Sequence, residues 1–287
     1  MRIGLDVSGG DFAPEANLSG ALLASHDLPD HVQLVLLGDK HIISSWLQEK
    51  QFKNSKIEIV HAPDVITFHD HPTRAIPQKP NSSIAVGFEL LAKNSIDVFA
   101  STGNTGAMLV GSMYKLNTVP GIIRPCITST LPAIDGSKTI LLDVGSNADC
   151  KADVLYQFAV LGALYSKHVH GIENPRVALL NIGEEDSKGN LLTLAAYKLL
   201  QESDEINFTG NLEGRDLFMG KADVIVCDGF TGNVALKTME GMAKMLSYSI
   251  KKELTQNIFT KTLSFFLIVN TKFYCAKLGK TDVSFQS

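Results

Sequence analysis

Thr139-Ile140-Leu141-Leu142-Asp143-Val144-Gly145-Ser146-Asn147 decides how this chain is read. An unbroken apolar run passes through an acidic residue into a glycine turn and ends on an amide. A run without polar alternation is expected of a strand covered on both faces. A helix-like stretch at 153–168 follows it. The same succession of apolar run, turn and amphipathic segment fills most of the chain. Strands are expected at 2–7, 33–38, 56–62, 97–101, 126–131, 139–144, 176–182 and 223–227. Helices are expected at 15–25, 42–50, 82–93, 105–117, 153–168, 191–202 and 233–254. That alternation predicts an α/β fold, a mostly parallel sheet flanked by helices. It covers 1–254 as one α/β catalytic domain, with 255–287 an atypical apolar C-terminal segment. Three prolines, Pro72, Pro77 and Pro80, make 70–81 a loop. In the last helix Val234, Leu236, Met239, Met242, Met245 and Leu246 recur at helical spacing, as core or subunit interface.

The 287 residues are 45% hydrophobic, enough for a large core in one domain or two joined lobes. Net charge is −4 with a pI near 6.1 and no basic run, so nucleic-acid binding is not expected. Cys126, Cys150, Cys227 and Cys275 are scattered without metal-ligand spacing, and a reducing cytoplasm fits them. Asp6 interrupts the first apolar stretch, which argues against a signal peptide. The late run Phe265-Phe266-Leu267-Ile268-Val269 is far short of the ~20 residues that span a bilayer.

Five glycine-bearing turns stand beside apolar runs: Gly9-Gly10-Asp11, Gly103-Asn104-Thr105-Gly106, 143–147, 183–189 and Asp228-Gly229-Phe230-Thr231-Gly232-Asn233. Glycine lets a backbone approach a ligand closely, and a helix N-terminus offers N–H groups to an anion. In open α/β sheets such turns gather where ligands bind, at the carboxyl ends of strands. The polar residues they carry are Asn104, Thr105, Asn147, Lys188, Thr231 and Asn233. Asn211, Glu213, Arg215 and Asp216 form a further polar turn. A lysine and backbone N–H groups suit phosphate, and asparagine amides suit a developing oxyanion. Each turn alone is more often a plain turn than a site.

Other motifs fail. No G-x-G-x-x-G follows the first strand, and no G-x-S-x-G occurs. Gly279-Lys280-Thr281 imitates the end of a P-loop, but Tyr274 holds the position of its first glycine. His69/His71 and His168/His170 lack companions for a metal. Glu184-Glu185-Asp186 reads better as carboxylates near a helix start than as a Mg²⁺ site. No metal and no cofactor is expected.

The blocks Arg2-Ile3-Gly4-Leu5-Asp6-Val7-Ser8-Gly9-Gly10-Asp11, Ser101-Thr102-Gly103-Asn104-Thr105-Gly106-Ala107, Leu141-Leu142-Asp143-Val144-Gly145-Ser146-Asn147, Leu180-Asn181-Ile182-Gly183-Glu184-Glu185 with Lys188-Gly189, Gly210-Asn211-Leu212-Glu213-Gly214-Arg215-Asp216 and Asp228-Gly229-Phe230-Thr231-Gly232-Asn233-Val234 resemble, in order, those of the phosphate acyltransferase (PlsX) family of phospholipid synthesis. The resemblance implies a fold similar to the phosphotransacetylase and isopropylmalate-dehydrogenase group. It implies transfer of a long-chain acyl group from acyl carrier protein to inorganic phosphate, and a homodimer. It implies Lys188 and Asn233 as the catalytic residues. Phosphate or substrate contacts are then expected from Gly9, Gly10, Asp11, Gly103, Asn104, Thr105, Gly106, Asn147, Asn211, Arg215, Asp228, Thr231 and Gly232. Phosphate itself is the nucleophile in that chemistry, so no serine or cysteine nucleophile is needed.

The same resemblance implies a basic docking surface for the acidic carrier protein, with Lys237, Lys244, Lys251 and Lys252 as candidates beside Arg74, Lys79 and Arg215. It implies a cytoplasmic protein peripheral to the inner face of the cell membrane, with the apolar 259–269 as the contacting or dimerising element. The family generally runs further, through a His-Gly pair and a final helix, whereas 278–287 resembles nothing in it. Two competing expectations are a truncated, inactive relative that only dimerises or touches membrane, and a dehydrogenase of the same fold group.

Overall fold

The computed structural model of the protein describes residues 1–52, 55–116 and 118–255, and the expectations for 259–269, Cys275 and 279–281 lie outside them. The chain divides into two units, Met1–Pro125 and the described residues from Cys126 on.

In the first unit, β1 (Arg2–Asp6), α1 (Glu15–Asp27), β2 (Gln33–Gly38), α2 (Lys40–Glu49), β3 (Ile57–His61), α3 (Pro72–Gln78), α4 (Ser83–Ala92), β4 (Val98–Ala100) and α5 (Thr105–Lys115) follow one another. The strands lie in the order β3-β2-β1-β4, all parallel. In β2 every residue after Gln33 is buried. Leu34 and Leu36 join Leu18, Ala21 and Ile43 in one cluster, so α1 and α2 cover that face. A second cluster gathers Ile76 of α3, Ile84 and Phe88 of α4, and Ala107 of α5.

The second unit contains β5 (Thr128–Pro132), β6 (Lys138–Leu142), α6 (Ala152–His170), β7 (Arg176–Leu180), α7 (Leu191–Gln201), β8 (Asn207–Leu212), a 3₁₀ turn at Gly214–Asp216, β9 (Val224–Val226) and α8 (Gly229–Thr255). Its sheet runs β5-β6-β9-β7-β8, with only β5 antiparallel to its neighbour. The period of two divides the residues cleanly. Ile140, Leu142, Val177, Leu179, Val224 and Val226 pack on Val154, Leu155 and Phe158 of α6 and on Ala196 and Leu200 of α7. Leu141, Ala178, Leu180 and Ile225 belong to the other cluster, with Leu236 and Met239 of α8 against it. Burying one such aliphatic side chain is worth roughly 1.5–3 kcal/mol. These layers hold the carboxyl ends of the strands in place.

Three local expectations are corrected. Residues 72–78, expected within a loop, form α3, with Pro72 in its first turn and Pro77 inside it. Proline tolerates the first helical turn because the N–H it lacks would be unpaired there, and burial of Ala75 and Ile76 favours the helix. Residues 207–212 form β8, where no strand was expected. It is an edge strand whose composition, Asn-Phe-Thr-Gly-Asn-Leu, carries no apolar run. α8 begins at Gly229, not at Asn233. The methionine stripe divides: Leu236 and Met239 pack on the core, whereas Val234, Met242, Met245 and Leu246 stay about half exposed.

Candidate functional site

In the first unit β1 ends on Asp6, a buried carboxylate. Its Oδ1 accepts from Ser8 N at 2.9 Å and Gly9 N at 3.1 Å, and its Oδ2 from Ser101 Oγ at 2.7 Å. Ser101 Oγ in turn accepts from Gly103 N at 3.0 Å. One side chain thereby ties the turn after β1 to the turn after β4. The two turns meet backbone to backbone, since a β-carbon on Gly9 would stand 2.8 Å from Gly103 Cα. Gly10 has φ +106, a conformation side chains rarely adopt. Asn104 caps α5, accepting from Ala107 N at 3.0 Å, while its Nδ2 donates to Thr67 O and Asp70 O at 3.0 and 3.3 Å. The expected ligand residues Gly9, Gly10, Gly103 and Asn104 therefore come together, but the Asn104 amide is engaged within the protein. Thr105 and Gly106 open α5, and Asp11 is exposed beyond the first turn.

In the second unit the equivalent residue is Asp143, just after β6. It is fully buried and accepts from Gly145 N, Ser146 N, Ser146 Oγ, Asn147 N and Asn147 Nδ2, and from Ile127 N just before β5. Burying a carboxylate is costly unless hydrogen bonds satisfy it, and here the turn supplies them. Asp6 and Asp143 were not among the expected site residues. The available signal was an acid at the end of an apolar strand immediately before a glycine turn.

The turn at 143–147 lies against the start of α8. Gly229 N donates to Asn147 O at 2.8 Å. A β-carbon on Gly232 would stand 1.9 Å from Asp143 O, so only glycine fits. Asp228 caps the helix, its Oδ1 accepting from Thr231 N at 2.9 Å and its Oδ2 from Thr231 Oγ1 at 2.7 Å. Asn233 thus lies in the second turn of α8 and is not its cap. Its side chain is exposed, and its amide makes no hydrogen bond among the described residues.

Lys188 occupies the turn between β7 and α7. Asn181 Nδ2 donates to Lys188 O at 3.1 Å and Asn211 Nδ2 to Glu185 O at 2.8 Å, so two amides hold the turn from beneath. Asn211 lies within β8; the expectation that it forms a turn with Glu213, Arg215 and Asp216 is corrected. Lys221 Nζ lies 3.1 Å from Glu184 Oε1 and 2.8 Å from Asp216 Oδ1. Its hydrogen bond is the main cause that lowers the Asp216 carboxyl pKa. With Glu184 so engaged, the exposed Lys188 ammonium has no ion pair or hydrogen bond among the described residues. Arg215 pairs with Glu213 at 2.8 Å.

The polar groups of Asn104, Asn147, Thr231, Asp228 and Arg215 thus have partners within the protein, whereas those of Lys188 and Asn233 have none among the described residues. Cys126 and Cys227 make poor nucleophiles. Burial pushes the Cys126 thiol up to about 12 and raises that of Cys227 further.

The family described as fatty acid synthesis protein matches residues 1–283. A phosphate acyltransferase of Dictyoglomus turgidum is 43% identical over 284 residues, covering 99% of this chain and 83% of the relative. One of Syntrophomonas wolfei is 45% identical over 250 residues, covering 87% and 78%. Among solved structures, the EutD phosphotransacetylase from Staphylococcus aureus superposes with a TM-score of 0.58 at 20% identity, covering 85% of this chain and 82% of its own. A phosphotransacetylase from Streptococcus pyogenes gives 0.57 at 16% identity, with the same coverage. At those identities the likeness establishes the fold.

Proposed function

This chain belongs to the fatty acid synthesis protein family, and from that membership we propose that it transfers a long-chain acyl group from acyl carrier protein to inorganic phosphate. The protein is an acyltransferase that forms acyl phosphate for phospholipid synthesis, as its phosphate acyltransferase relatives indicate. The readings as an inactive relative or a dehydrogenase are not favoured by those relatives.

The observation that carries the finer reading is the freedom of two groups, the Lys188 ammonium and the Asn233 amide. In the proposed reaction a phosphate oxygen attacks the thioester carbonyl carbon, the carbonyl oxygen gains charge, the C–S bond breaks and the carrier leaves as its thiol. Lys188 offsets the charge of phosphate. Asn233 Nδ2 donates to the developing oxyanion, a role in which one donor is worth about 10²–10³ in rate. The test is incubation with a long-chain acyl carrier protein thioester and phosphate, followed by mass spectrometry. Acyl phosphate and free carrier thiol are expected, and release of free fatty acid with no phosphate in the product would overturn the reading.

A homodimer is the second part of the proposal. Val234, Met242, Met245, Leu246 and Ile250 leave α8 with an apolar surface suited to a second copy. The protein is further proposed to work in the cytoplasm beside the membrane's inner face. Among the described residues no helix is long and apolar enough to cross a membrane.

A further inference from the structure

We propose that Asp143 is a positioning residue for the transfer step, its buried carboxylate shaping the Gly145-Ser146-Asn147 turn against which Asn233 is set. The inference rests on the acyl-transfer reading and on Asn233 as the oxyanion donor.

Asp143 reaches its neighbours with both oxygens. Oδ1 accepts from Ile127 N at 3.1 Å, Gly145 N at 3.2 Å, Ser146 N at 3.1 Å and Ser146 Oγ at 2.7 Å. Oδ2 accepts from Ser146 Oγ at 2.8 Å, Asn147 N at 2.6 Å and Asn147 Nδ2 at 2.9 Å. Three successive backbone N–H groups thus converge on one carboxylate, which specifies the path of the turn. Bonds to a charged acceptor are roughly twice as strong as neutral ones. An amide in its place has one acceptor oxygen and presents its own N–H₂ to donors.

The shaped turn is pressed on the helix that carries Asn233. Gly229 N donates to Asn147 O at 2.8 Å, and the Cys227 thiol lies 3.5 Å from Asp143 O. Gly232 has room for no side chain beside Asp143 O. Gly145, at φ +138, neighbours Asn233: a β-carbon on it would stand 3.6 Å, an ordinary contact distance, from Asn233 Cβ, Cγ and Oδ1. Among the described residues the Asn233 side chain has no hydrogen bond to orient it, so its placement follows the α8 backbone, which the turn fixes at Gly229 and Gly232. An oxyanion donor must lie within about 0.2 Å of its best distance, and misplacement by about 1 Å can cost 10²-fold in rate.

The experiment is a double-substitution cycle on the full chain with the acyl phosphate assay. Asp143→Asn should lower kcat about 10²-fold while leaving the KM values for phosphate and acyl carrier close to those of the unmodified enzyme. In an Asn233→Ala background the same substitution should cause little further loss, because Asp143 acts through Asn233. A folded Asp143→Asn protein with full kcat, or losses that multiply in the double variant, would overturn the proposal. Should Asp143→Asn not fold, Ser146→Ala removes one donor shared by both oxygens. A kcat loss that disappears in the Asn233→Ala background supports the inference, and one that persists, or a full kcat, overturns it. Two other failures are separable: no acyl phosphate from the unmodified protein defeats the acyl-transfer reading itself, and an unchanged kcat in Asn233→Ala alone defeats the donor assignment.

Discussion

The Asn233 side chain neighbours the backbone of Gly145: a methyl group on that glycine would stand 3.6 Å from the amide carbon, an ordinary contact. A residue in the second turn of α8 is thereby set over the turn that follows β6. Because Asp228 already caps the helix, the amide of Asn233 is spared from holding the helix end.

Asn233→Ser is expected to leave thermal stability unchanged and to lower kcat by about 10²–10³. Asp228→Ala is its control and should cost about 1 kcal/mol through loss of the cap. Paired melting curves and initial rates separate the two. A full rate for Asn233→Ser would remove it from the chemistry.

Lys188→Ala should depress turnover by orders of magnitude with a stability change under ~0.5 kcal/mol, since the side chain is exposed and unpaired among the described residues. If Lys188 meets phosphate, the loss appears chiefly against phosphate concentration. Near-normal turnover in a folded variant would rule the assignment out.

Lys221 gives a dependence on acid. Its ammonium is the main cause that lowers the Asp216 carboxyl pKa. A carboxylate depressed in the folded state adds stability above its unfolded value of about 3.9, and loses it as pH falls through the folded value. Lys221→Met should therefore flatten the decline in stability below about pH 4. Denaturant titrations at several pH values test this.

Met242 and Met245, each about half exposed on α8, are expected in the contact between two copies. Replacing both with Ser should shift a dimer toward monomer in sedimentation. A monomeric unmodified protein at micromolar concentration would end the dimer proposal.

Much of this was legible along the chain. The uninterrupted run at 139–142 announced a strand buried on both sides, and the structure covers its two faces with two clusters. The glycine turns fell at strand ends, and Lys188 could be singled out by its glycine-bounded turn. Such features are local: strand period, turn chemistry and helix stripe are written in neighbouring residues. Tertiary structure decided what local pattern does not carry. Burial made a helix of 72–78 despite two prolines, and an edge position made a strand of 207–212 without an apolar run. The same holds for which amides are free. Asn104 is bound by Thr67 and Asp70, and Asp6 takes a hydrogen bond from Ser101, 95 residues away. Gly232 is confined by Asp143 O, across a gap of β-strands and helices in sequence. Sequence supplied the polar groups and the turns, but a hydrogen-bonding group is satisfied or left open only by partners that the folded chain brings to it.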